Sequence, residues 1–211
     1  MHKSTKTHHV PNETKDKILC AAELLFIKKG FSATSLRSIA IEAQVNLAAT
    51  HYHFGSKEGL FAATVHRHVQ PITEKRIQAL DTLLASDRII SVESIMTVFL
   101  SPLRDGSVSE ALPKLMGRVY GEPEFITRPL LEKEFGITAS RFIDALQLAL
   151  PDVDVVDLQW RFHFTIGAMI QLLNFDRPHD SPLLSAVGDR LGPPEDGFER
   201  LLSFITAGIT Q

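Results

Sequence analysis

Apolar positions recur at helical spacing along almost the whole chain, and no stretch shows the strict alternation of a half-buried strand. Ile18, Ala21, Ala22, Leu25 and Phe26 give a broad apolar face to a helix predicted over about 13–29, with Lys28 and Lys29 in its last turn and Gly30 as its stop. Two short helices follow. Leu36, Ile39 and Ala40 mark the first, over 35–42, with Thr34 placed to cap it. A break at Ala43–Val45 leads to the second, over 46–53, closed by Phe54 and Gly55. Helices this short cannot bury a core alone, so the first helix must pack beneath them. From Ser56, which caps with Glu58 in the first turn, a long pattern runs through Leu60, Phe61, Val65 and Val69, meets Pro71, and resumes through Ile72, Ile77, Leu80 and Leu84. Further apolar stretches cover 90–100, ended by Ser101-Pro102, then 108–120, 123–150, 153–175 and 198–209, with a loop rich in Pro, Gly and Asp up to Asp196. The predicted fold class is all-α with about nine helices.

The helix over 46–53 exposes small, polar and aromatic groups where a solvated helix normally carries Lys and Glu. With its neighbour it forms a helix-turn-helix whose second helix is free to enter a DNA major groove. Charge supports this. The net charge is −3, but residues 1–57 hold eight Lys or Arg against four acids, a net +4, and the remaining 14 bases and 21 acids give −7. A basic head on an acidic body concentrates positive potential at the helix-turn-helix. A helical hairpin with no role on DNA would leave this skew unexplained.

Other classes of function find little support. No 18-residue apolar run offers a membrane span and the N-terminus carries no apolar signal segment, so a cytoplasmic protein without membrane contact is expected. The lone Cys20 excludes an internal disulfide or a thiolate-rich metal site and reads as a small core residue. His8 and His9 lack a third ligand. Asp152, Asp154 and Asp157 read as acids gathered at a helix start, and His163 as a satisfied interior histidine. No phosphate loop, zinc spacing or nucleophile elbow occurs, so no enzymatic activity, metal or cofactor is expected.

The segments KKGFSATSLRSIA, AQVN and YHFGSKEGLF, at this spacing, closely resemble the N-terminal domain of the TetR family of bacterial transcriptional regulators over about residues 15–61. VNLAATHYHFGSKEGL is most similar to a subgroup reading VN-x-x-x-x-x-YHFGSKE, some members of which respond to fatty acids or related acyl ligands. The resulting division is a flexible basic arm over 1–12, a helix-turn-helix DNA-binding domain over 13–57, and an effector-binding and dimerisation domain over 58–211. The resemblance makes Asn46 the start of the recognition helix, with Leu47, Ala48, Ala49 and His51 facing the groove. Tyr52 and His53 would reach the DNA backbone, Lys57 would pair with a phosphate, and Thr34, Ser35 and Arg37 would hold the neighbouring backbone. Lys3 and Lys6 of the arm would add phosphate or minor-groove contacts. Gln44 stands where the family usually has Gly, at a cost of roughly 1 kcal/mol for a left-handed residue. Ala49 replaces a frequent Thr and His51 a frequent Tyr, so no operator sequence carries over.

The helix containing DLQWRFHFTIGAMIQLLNF is apolar nearly all round. With the last helix it is the expected homodimer interface, through Trp160, Phe164, Ile170, Phe198, Leu201, Leu202 and Ile205, as a four-helix bundle about a two-fold axis. An effector pocket is expected among Phe99, Leu103, Met116, Phe125, Phe142, Phe164 and Met169, with Arg118 and Arg141 as cations for a carboxylate. The implied function is a repressor that binds double-stranded DNA at a pseudo-palindromic operator as a homodimer and is released by a small apolar effector, of fatty-acid or acyl type. An effector-independent or activating regulator is the alternative within the family. Outside it stand an all-α ligand carrier indifferent to DNA and an interaction module that stays monomeric until its partner is added.

Overall fold

Val10 opens the first helix three residues earlier than the apolar pattern predicts. Pro11 sits in the first turn, where its missing N–H would have had no helical partner. The computed structural model of the chain describes residues 10–87, 89–173 and 197–211. The rest of the predicted arm, with Lys3, Lys6, His8 and His9, lies outside the described residues, as does the loop predicted up to Asp196. The described residues form nine helices and no strand: α1 Val10–Lys29, α2 Leu36–Glu42, α3 Leu47–Phe54, α4 Lys57–Leu84, α5 Val92–Arg104, α6 Ala111–Val119, α7 Glu124–Ala149, α8 Val155–Leu173 and α9 Gly197–Thr210. The fold is all-α, as predicted.

Two boundaries differ for definite reasons. α2 is capped by Ser35, not Thr34. The Ser35 hydroxyl accepts from the Ser38 N–H at 3.0 Å, and the Ser38 hydroxyl accepts from the Ser35 N–H at 3.1 Å, a reciprocal capping box. α5 does not stop at Ser101-Pro102 but runs on to Arg104. Pro102 deprives the Val98 carbonyl of its helical donor, and the Ser101 hydroxyl donates to that carbonyl instead, at 2.9 Å.

The chain forms two compact units, Met1–Arg67 with Lys114–Leu130, and His68–Pro113 with Leu131–Gln211. The start of α4, most of α6 and the start of α7 group with the helix-turn-helix, and Leu115, Met116, Val119 and Leu130 are buried there. In the first unit α1, α2 and α3 pack on one another over Ile18, Ala22, Phe26, Ile39, Leu60 and Phe61. The Phe31 ring completes an aromatic cluster, 6.1 Å from Phe26 and 5.1 Å from Phe61. Each such side chain contributes about 1.5–3 kcal/mol of burial. Cys20, expected in this core, is exposed on α1, and its Sγ accepts from Arg67 at 3.5 Å.

The second unit has its own core, built from Leu80, Ile95, Met96, Phe99, Leu100, Phe142, Leu146, Leu158 and Phe162 together with Leu201, Leu202, Ile205 and Ile209 of α9. Phe99 meets Phe142 and Phe162 edge-on, each at 5.1 Å. His163, expected inside, is exposed beside Trp160 and Phe164.

Candidate nucleic-acid interface

α3 is set by its two ends. At its start the Asn46 side chain accepts from the Ala48 N–H at 2.9 Å, a cap that fixes where the helix begins. The turn before it needs one left-handed residue, and Gln44 supplies it with φ +55°, alone among the described non-glycine residues. At the far end Gly55, φ +73°, donates its N–H to the His51 carbonyl. One side of α3 is anchored by the buried Thr50. Leu47, Ala48, His51 and Tyr52 are exposed, Tyr52 to 86%, and Ala49 and His53 are half-buried. The surface so presented is short, nearly free of charge and able to enter a groove. His51 is oriented further: its Nδ1 lies 3.1 Å from the Gly55 carbonyl, which can only accept. Nδ1 therefore carries a proton and donates to that carbonyl.

Two residues predicted to touch DNA are engaged within the first unit. Thr34 is only 2% exposed, and its hydroxyl donates to the Gly30 carbonyl at 2.7 Å. Its side chain ties the turn to α1 and does not face DNA. Lys57 places Nζ 3.1 Å from the Phe31 carbonyl and 3.0 Å from the Thr34 carbonyl, and 4.1 Å from the Phe31 ring centre. The amine clasps the α1–α2 turn with two of its three N–H groups. Ser35 and Arg37 are exposed at the start of α2, as predicted.

Sequence reasoning missed the residue that holds this turn from the other side. Glu122, following α6, accepts from the Phe31 N–H at 2.7 Å and the Ser32 hydroxyl at 2.7 Å. Gly30 makes room for it: its φ is +81°, and a Cβ there would lie 2.7 Å from Glu122 Oε1. Arg118 closes the last turn of α1, donating to the Ile27 carbonyl at 2.9 Å and the Lys28 carbonyl at 3.4 Å.

A short cap-defined α3 behind a clasped turn is the arrangement of a DNA-reading helix-turn-helix. Residues 18–64 match the family described as bacterial regulatory proteins, tetR family, and residues 97–208, more than half of the chain, match the tetracyclin repressor-like C-terminal domain. The chain belongs to the TetR family. Membership makes it a DNA-binding transcription regulator and not an enzyme. Among curated proteins it is similar to the probable HTH-type transcriptional regulator YttP of Bacillus subtilis, 55% identical over 47 residues, or 22% of this chain and 23% of YttP. It is also similar to the HTH-type transcriptional activator FasR of Mycolicibacterium smegmatis, 24% identical over 135 residues, 64% of this chain and 58% of FasR. The matches span less than two thirds of either relative. Among solved structures, the complex of triclosan with SmeT, a Stenotrophomonas maltophilia repressor, shares the fold with a TM-score of 0.65, at 20% identity over 92% of this chain and 90% of that one.

The residues predicted for a TetR-type effector pocket are distributed over both units. Phe99 and Phe142 lie in the core of the second unit, whereas Met116 is buried in the first and Arg118 is bound to α1 backbone. Phe125 and Phe164 are exposed, Arg141 is half-buried and paired with Asp81, and Leu103 and Met169 are half-buried. The predicted dimer residues differ in burial within the protomer. Leu201, Leu202 and Ile205 face inward and belong to the protomer's own core, and Ile170 and Phe198 are half-buried. Trp160 and Phe164 (65% exposed) do present an apolar surface, and α9 adds Phe204, 69% exposed, which the sequence reading passed over.

Proposed function

We propose that this TetR-family chain is a repressor that binds a pseudo-palindromic operator as a homodimer and is released by a small apolar effector. The observation that carries the DNA half is the capped, exposed and almost uncharged face of α3. Ser35, Arg37 and the remaining N–H of Lys57 hold the backbone, Tyr52 and His53 flank it, and Leu47, Ala48, Ala49 and His51 face base edges. Trp160, Phe164 and Phe204 are exposed aromatic groups of α8 and α9, and large aromatics of this kind centre protein interfaces. A two-fold pairing through them sets two recognition helices about one DNA turn, or a multiple of it, apart. No helix among the described residues is long and apolar enough to cross a membrane.

The effector half draws on SmeT, whose solved complex holds triclosan, a small apolar molecule. α4 contributes Lys57–Arg67 to one compact unit and His68–Leu84 to the other, so a ligand that shifts it biases the DNA-reading unit. Only a difference in ligand affinity between the two states can produce release. Activation is the second reading, favoured by the long match to the activator FasR. Light scattering of the free protein and anisotropy of the duplex upstream of its own gene, with and without triclosan or a fatty acid, test the proposal. A dimer that binds one duplex and is displaced by one ligand class supports it. A monomer, or binding indifferent to every sequence, contradicts it.

A further inference from the structure

Arg76 lies on α4 in the second unit and is 4% exposed. A buried guanidinium is costly unless an anion neutralises it. Its observed contacts are all neutral. Nε donates to the Phe99 carbonyl at 2.7 Å, one Nη2 hydrogen meets the weak acceptor Met169 Sδ at 3.3 Å, and the group lies 4.0 Å from the Phe99 ring centre. Other cations of this unit have carboxylates: Lys75 has Asp105, Arg141 has Asp81 and Arg161 has Asp157. Among the described residues no carboxylate pairs with Arg76, and both Nη1 hydrogens lack an acceptor. Burial lowers its pKa to about 10, which leaves it charged at neutral pH.

We propose that Arg76 is the anchor for the head of a monoanionic amphiphile, a carboxylate seated on its free N–H fork with an apolar body against the Phe99 and Met169 side of the core. This rests on the effector half of the proposed function and gives that effector a chemical class. One guanidinium matches one carboxylate in charge and in fork geometry, whereas a phosphate dianion would bring a second buried charge with no cation to meet it. Phe99 supplies a rigid aromatic wall, and the unbranched Met169 can repack around a chain of variable length. The cations that sequence offered for this role are engaged elsewhere, Arg118 on the α1 carbonyls and Arg141 on Asp81.

The test compares decanoate with decanol, of equal chain length, by calorimetric titration of the full-length protein without DNA. The wild type binds decanoate about ten- to a hundredfold tighter than decanol. Arg76→Gln, which keeps an amide N–H for the Phe99 carbonyl, binds the two equally, and Arg76→Met melts no lower than wild type because an unpaired buried charge is gone. Equal affinities in the wild type overturn the proposal. So does a decanoate preference that survives in Arg76→Gln, and so does an Arg76→Met variant that melts far below wild type, which marks Arg76 as a structural cation. Because no DNA is present, these outcomes are independent of operator binding: a protein that ignores decanoate can still bind its operator, and the reverse.

Discussion

Gln44 shows how a single residue sets the geometry of the reading helix and what that costs. It holds φ +55° in the turn where a glycine would be unstrained, and nothing in its surroundings requires its side chain. Gln44→Gly is expected to raise stability by roughly 1 kcal/mol, less the extra entropy that glycine gives the unfolded chain, and thermal melting monitored by circular dichroism reads the gain. Lys57 carries a double role. Its Nζ bonds two carbonyls of the α1–α2 turn, so Lys57→Ala is expected to lower the melting temperature as well as to weaken binding to every duplex. If its third N–H meets a phosphate, the salt slope of binding also falls by about one. A lower melting temperature with an unchanged slope confines Lys57 to the clasp.

At the scale of elements, what was legible in the sequence was what is local. The helices, the all-α class and the Asn46 start of α3 are written in residues within a few positions of one another, whereas the left-handed turn at Gln44 is implied by the family resemblance. The clasp from Glu122 was not legible, because it joins residues 91 apart and a lone Glu before Pro123 has no signature. The inward face of α9 was hidden for another reason. Periodicity gives the apolar stripe of α9 (Leu201, Leu202, Ile205) but not what covers it, the protomer's own core or a partner, and α8 is apolar almost all round. Arg76 gave no signal either, since its burial depends on α5 and α8 packing over it. Glu122→Ala is expected to release the Phe31 and Ser32 N–H and O–H groups and destabilise the first unit by about 1–3 kcal/mol. Hydrogen exchange in α1 and α2 checks this: faster exchange at the Phe31 amide is the predicted result, and unaltered protection there would show the clasp to be idle.

At the scale of the whole molecule, the proposed function requires two copies that hold two α3 helices at a fixed separation. Phe164→Glu places a charge on the exposed apolar face of α8 without touching the core, so it is expected to yield a folded monomer with operator affinity reduced about a hundredfold or more. Sedimentation velocity with circular dichroism separates that outcome from simple unfolding. The central claim is that α3 reads a specific duplex through a dimer. The most direct measurement is fluorescence anisotropy of the duplex upstream of the protein's own gene against a shuffled duplex of the same composition, across a range of salt. The account predicts a dimer per duplex, strong weakening with salt, and affinity for the upstream sequence at least about a thousandfold above the shuffled one. Equal affinity for the two duplexes at every salt concentration would contradict it.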